Sequence, residues 1–278
     1  MPYLNAAENA NIYYEDFGKG IPILFVHAGS STHDMWESQV DTLAHSFRTI
    51  TWDWRGVGLS DKPSDGYDVD TVVGDLGALI DGLGLERVIV VGHGLGAHIA
   101  ILAEERFRSK IAGLALTSAA PWNRGDYDGV EGGLSTEFIQ WQGENMGSAG
   151  MSSAAGYAAL FENWLFHSPA QPADLHAAIA CAIQTPLYVM NRYRASFAGI
   201  DHRQRAGRIQ TPTLILQGRH DRKQRYSGAV HLQGLIPGAR LHTFENSAHM
   251  PHVEEMQRYN QVLADFAREA TDAALANA

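Results

Sequence analysis

Short apolar runs alternate with longer amphipathic stretches along most of the chain. Residues 12–14 and 21–26 read as strands on either side of the turn-like Gly18-Lys19-Gly20. Residues 48–52 read as a third strand, which stops at Asp53. Val72, Val73, Leu76, Leu79, Ile80 and Leu83 recur at helical spacing up to Gly84, a residue suited to the position just past a helix C-terminus. Residues 88–91 are wholly β-branched, as in a strand buried on both faces of a parallel sheet. A helix over 97–106 and a strand over 114–116 follow.

The alternation stops after Ala119-Ala120-Pro121-Trp122 and resumes only at Pro212. Between them lie the glycines Gly125, Gly129, Gly132 and Gly133, a mildly low-complexity tract over 143–156, and helix-like stretches over 157–166 and 172–197. Strands at 212–217 and 241–244 and a closing helix over 254–270 complete the pattern. It predicts an α/β core, residues 1–120 and 206–278, interrupted by a helical cap at 121–205. Such a cap is expected over the C-terminal edge of the sheet, where open α/β folds place their sites.

A length of 278 residues suits one large domain, and 45% hydrophobic with 19% charged residues supplies an ordinary core. The net charge of −10 argues against nucleic acid as a partner and favours neutral or uncharged substrates. Cys181 is the only cysteine, so no intramolecular disulfide can form, which suits a reducing compartment. The start, Met1-Pro2-Tyr3-Leu4-Asn5, lacks a basic region followed by an apolar one. Every apolar run falls well short of the roughly 20 residues that cross a bilayer. A cytoplasmic protein without membrane contact is expected; its oligomeric state is open.

The strand at 88–91 runs directly into Gly92-His93-Gly94-Leu95-Gly96 and then a helix. Taken alone, this is a plain glycine-rich turn, a phosphate loop, or a nucleophile elbow, in which the central residue aims its side chain into a site. Four further features follow strands in order: His27-Ala28-Gly29-Ser30, Asp53-Trp54-Arg55-Gly56, Gly218-Arg219-His220-Asp221 and Asn246-Ser247-Ala248-His249. By these motifs and their order the chain resembles the α/β-hydrolase superfamily, nearest to small bacterial esterases, enol-lactonases, C–C hydrolases and epoxide hydrolases. The resemblance implies the α/β-hydrolase fold: a mostly parallel twisted sheet flanked by helices. It implies Asp221 as triad acid, His249 as general base, and the backbone N–H groups of Gly29 and Leu95 as an oxyanion hole. It puts the nucleophile at Gly94, which has no side chain to offer.

Three explanations fit Gly94: an inactivating replacement of serine, a binding protein without turnover, or chemistry without a covalent intermediate. His27 is expected to order the oxyanion loop, and Asp53 and Arg55 to brace a loop as a pair. His93 is expected to pack, with His98 undecided and His220 a weaker rival to Asp221. Most of the aromatics Trp122, Phe138, Trp141, Tyr157, Phe161, Trp164, Tyr188 and Tyr193 are expected to be cap core. Trp122, Trp141, Trp164 and Tyr188 are assigned to the substrate. Tyr157 and Tyr193 would suit an epoxide hydrolase only beside an aspartate nucleophile. No metal motif appears around His249 and His252 or His231 and His242, and no cofactor is expected. The expected function is cleavage of an apolar neutral ester or lactone by Asp-His-assisted acyl transfer. The alternatives are a cofactor-independent lyase, decarboxylase or isomerase using Asp221 and His249, and a non-catalytic ligand-binding protein.

Overall fold

The computed structural model describes residues 2–6, 10–123, 125–126, 133–145 and 153–276. Gly129 and Gly132 of the glycine run, and 146–152 of the low-complexity tract, lie outside these. The strands are β1 (Tyr3–Asn5), β2 (Asn11–Gly18), β3 (Pro22–Val26), β4 (Arg48–Trp52), β5 (Val88–His93), β6 (Ile111–Thr117), β7 (Thr213–Gly218) and β8 (Arg240–Phe244). They form one sheet in the order β1-β2-β4-β3-β5-β6-β7-β8. β1 and β2 run antiparallel to their neighbours, and all other pairings are parallel. This is the α/β-hydrolase architecture expected from the sequence.

The central strands have no polar face because each of their faces is covered by helices. Leu24, Val26, Val88, Val90, Leu114, Leu116 and Ile215 pack on one side with α2 (Val69–Gly82) and α3 (Leu95–Phe107). Ile23, Phe25, Ile89, Val91, Ala115, Leu214 and Leu216 pack on the other with residues of α11 (Met256–Ala276). The split follows the two-residue period of a strand, which is why these segments read as unbroken apolar runs.

In α2, Val72, Val73, Leu76, Leu79 and Ile80 are the buried positions, and the Asp68 side chain caps the N-terminus by accepting the Thr71 backbone N–H. Asp68→Ala should lower stability by about 1 kcal/mol. Urea denaturation checks this, and an unchanged midpoint would mean the cap adds nothing.

Between β6 and β7 the described residues contribute helices and no strand of the sheet: α4 (Thr136–Asn145), α5 (Ala154–Leu160), α6 (Pro172–Ala182), α7 (Leu187–Phe197) and α8 (Arg203–Ala206). A π-helical turn, Phe161–Leu165, extends α5. The stretch over 172–197, expected as one, is two helices, because α6 ends at Ala182 and Pro186 caps the start of α7. The closing helix also differs, with a short α10 (Pro251–Glu254) preceding α11; α1 (Glu37–Leu43), α9 (Tyr226–Leu235), α4 and β1 were not foreseen. Among the described residues no helix is long and apolar enough to cross a membrane.

Asp53 and Arg55 do brace loops, but not as a pair. Asp53 accepts the His33 backbone N–H at 2.8 Å and the Leu59 N–H at 2.8 Å. Arg55 instead forms a fully buried ion pair with Asp75, at 2.6 and 2.7 Å.

Candidate active site

From β3 the chain crosses to β4 on one side, whereas β5 lies on the other, so the loops leaving β3 and β5 diverge and open a crevice. Gly94 sits there, between β5 and α3, with φ 55° and ψ −114°. Glycine reaches this region freely, and a residue with a side chain would be strained in it. A Cβ at Gly92 would collide with the Gly96 carbonyl, and one at Gly96 with that of Val26, so these two glycines let strand and helix close up. At Gly94 the space is open. A Cβ there would meet only His249 Nε2 at 3.6 Å and Ala28 at 4.0 Å.

His249 follows β8 and Asp221 follows β7, and the sheet brings the two together. His249 Nδ1 donates to Asp221 Oδ2 at 2.7 Å. Asp221 Oδ1 accepts the N–H groups of Lys223 (3.0 Å) and Gln224 (2.8 Å), and Oδ2 accepts Gln217 Nε2 at 3.0 Å. Burial raises the Asp221 carboxyl, opposed by these donors and by the Lys223 charge. The bond to Asp221 fixes the imidazole tautomer and leaves the Nε2 lone pair facing Gly94. Burial and the Lys223 charge both hold the His249 imidazole well below its usual value. The His249 backbone is fixed as well: its carbonyl accepts His93 Nε2 at 2.8 Å and Ser118 Oγ at 3.0 Å, and its N–H donates to the Leu165 carbonyl at 3.0 Å. His93 thus packs as expected and also anchors this loop.

Sequence reasoning missed Lys223. Its ammonium lies 3.2 Å from His249 Nε2 and 5.6 Å from the centre of the Phe138 ring. Burial pulls it down to about 8, against the attraction of Asp221. The one signal available was a basic residue two places past the acid, which reads in a sequence as a solvated loop residue.

Ala28, Gly29, Gly94, Leu95, Lys223 and His249 line a cavity of about 590 Å³. Phe138, Leu160, Phe161, Phe166, Met190 and Phe197 supply much of its apolar wall. Exposed Asp34, Glu37, Asp174 and Arg194 also border it. Gly29 and Leu95 flank Gly94, and His27 braces the Gly29 loop by donating to the Ala28 carbonyl and accepting the Trp54 N–H.

The aromatic assignment requires correction, since none of Trp122, Trp141, Trp164 and Tyr188 lines this cavity. Trp141 and Trp164 pack behind Phe138 and leave the wall to phenylalanines. Trp122 donates to the Gly125 carbonyl and packs on His231, and Tyr188 is 47% exposed. Tyr157 and Tyr193 lie outside the wall too; Tyr193 donates to the Arg55 carbonyl. His98 borders the cavity with its ring held by His202 at 2.9 Å, and His220 is stacked on His167 away from it. Among the described residues no group of three or more His, Cys, Asp or Glu is placed to hold a metal.

A family profile described as alpha/beta hydrolase fold matches residues 21–256. An AB hydrolase superfamily protein of Bacillus subtilis is 31% identical over 266 residues, covering 95% of this chain and 98% of its own. A non-heme chloroperoxidase of Kitasatospora aureofaciens is 24% identical over 96% of this chain and 99% of its own. Among solved structures, an esterase from Exiguobacterium antarcticum superposes with a TM-score of 0.87 at 25% identity, over 96% of this chain and 98% of its own. The order of the sheet, the turn at Gly94, the paired Asp221 and His249 and these full-length matches agree: the chain belongs to the α/β-hydrolase fold family.

Proposed function

We propose that the chain hydrolyses a neutral, largely apolar ester or lactone, with His249 drawing a proton from water instead of from a serine. The observation that carries this reading is the open direction from Gly94 to His249 Nε2, 3.6 Å from where a Cβ would lie, at the floor of an apolar cavity. The helices of residues 121–205 act as the cap. Water in that space attacks the carbonyl carbon as its proton passes to Nε2, and Asp221 stabilises the imidazolium. The N–H groups of Gly29 and Leu95 receive the developing oxyanion. The imidazolium then returns its proton to the leaving alkoxide. The esterase likeness supports the ester class.

A panel of p-nitrophenyl esters and lactones tests this, with cleavage favouring medium acyl chains. The pH profile carries a sign. While protonated, Lys223 donates to the lone pair that must accept the water proton, and its charge opposes the imidazolium. The rate should therefore rise as pH climbs through about 8, where Lys223 loses its proton. A rate that falls across that range would count against His249 as the base.

Lys223 also favours a second reading, a non-hydrolytic reaction at a carbonyl in which Asp221 and His249 move protons and water is not the nucleophile.

A further inference from the structure

The hydrogen-bond chain in the cavity floor is complete without residue 94. Asp221 accepts from His249 Nδ1 at 2.7 Å, and His249 Nε2 faces Lys223 Nζ at 3.2 Å. In a serine triad that last place belongs to the nucleophile's hydroxyl, which gives its proton to the imidazole. Here an ammonium occupies it, on a loop after β7 instead of at the elbow. Lys223, Gly94, Gly29 and Leu95 border one cavity, so the amine and the flanking backbone can reach the same carbonyl. No carboxylate is its hydrogen-bond partner among the described residues; the near carboxylate, Asp221, is engaged with His249.

We infer that Lys223 is a carbonyl-capturing amine that forms an iminium with an apolar ketone or aldehyde held in the cavity. This rests on the second reading above. Burial supports it, since the ammonium is held down to about 8, against an ordinary lysine near 10.4.

The steps balance with no added oxidant, reductant or co-reactant. His249 takes one proton from the Lys223 ammonium, and the freed amine lone pair forms a C–N bond as the carbonyl π pair moves to oxygen. The imidazolium protonates that oxygen, and His249 then removes a proton from the new nitrogen to give a neutral carbinolamine. The nitrogen lone pair expels the hydroxyl, which leaves as water with the proton His249 returns. The sum is ammonium plus carbonyl giving iminium plus water. An ester would instead acylate the amine and leave a stable amide, so a ketone or aldehyde is the class that allows turnover. The iminium draws electrons from the neighbouring carbon, activating a C–H or C–C bond there.

The sequence has four lysines, Lys19, Lys62, Lys110 and Lys223, which makes the test direct. Lys19 and Lys62 are exposed, and Lys110 is ion-paired with Asp81 and Glu86. The whole chain is treated with hexanal and cyanoborohydride at about pH 7.5, and the adduct is located by peptide mass spectrometry. Lys223 should be alkylated about a hundredfold faster than each other lysine, the ratio expected from its larger neutral fraction. Lys223→Met, shown to be folded by its thermal transition, should lose that fast adduct, and Lys223→Arg should not restore it. Labelling of Lys223 no faster than of Lys19, or an adduct that survives in Lys223→Met, overturns the inference. If Lys223→Met does not fold, the lysine rate ratio in the unaltered chain decides alone. Ester turnover is scored separately. Esters cleaved without an adduct sink the amine and leave the hydrolytic reading, and an adduct without ester cleavage does the reverse.

Discussion

A Gly94→Ser variant is expected to gain ester turnover by about three orders of magnitude or more, the scale on which triad nucleophiles matter in other hydrolases. The new Cβ would stand 3.6 Å from His249 Nε2, so Oγ falls within hydrogen-bond reach of the base. The same variant should be less stable by about 1–3 kcal/mol, because φ of 55° strains any residue with a side chain. Lys223 would compete for the same imidazole nitrogen, so the gain should be largest above about pH 8, where its proton is lost. Initial rates on a p-nitrophenyl ester, a urea melt and covalent labelling by a fluorophosphonate together check this. A folded variant that neither labels nor gains turnover would show that Gly94 does not stand at an elbow.

His249→Ala should lower any turnover by about three to four orders of magnitude, since every proton in the hydrolytic and amine routes passes through its Nε2. The loss should appear in kcat more than in KM, because the imidazole does not hold the apolar part of the substrate. Removing the ring also leaves the Asp221 carboxylate facing Lys223 without an intervening group. That new proximity should raise the lysine again and slow its alkylation. A variant retaining more than about a tenth of the parent rate would remove His249 from the mechanism.

Much of this was legible in the chain, and the exceptions have physical causes. The parallel strands stood out because β3, β5, β6 and β7 are covered on both faces and so carry almost no polar residue. Asp221 and His249 were findable because each stands in a loop a few residues past a strand, β7 and β8 respectively. α4 escaped notice because it buries only Phe138 and so lacks an apolar stripe. The wall aromatics could not be separated from core aromatics by spacing: Phe138 touches the cavity while Trp141 and Trp164 back it, on the same helical segments. Lys223 was illegible for a different reason. Its meaning depends on β8 returning beside β7, which places residues 26 positions apart at 3.2 Å.

The π-helical turn over Phe161–Leu165 has a mechanical consequence. Its last carbonyl, Leu165, receives the backbone N–H of His249, so the ceiling of the cavity and its base share one bond. Lifting that end of the ceiling would break this hydrogen bond and loosen the imidazole at the same moment. Guest entry that leaves this end of the ceiling in place keeps the base aligned. The His249 amide becomes a strain gauge for the ceiling, and its deuterium uptake should slow when a ligand fills the cavity.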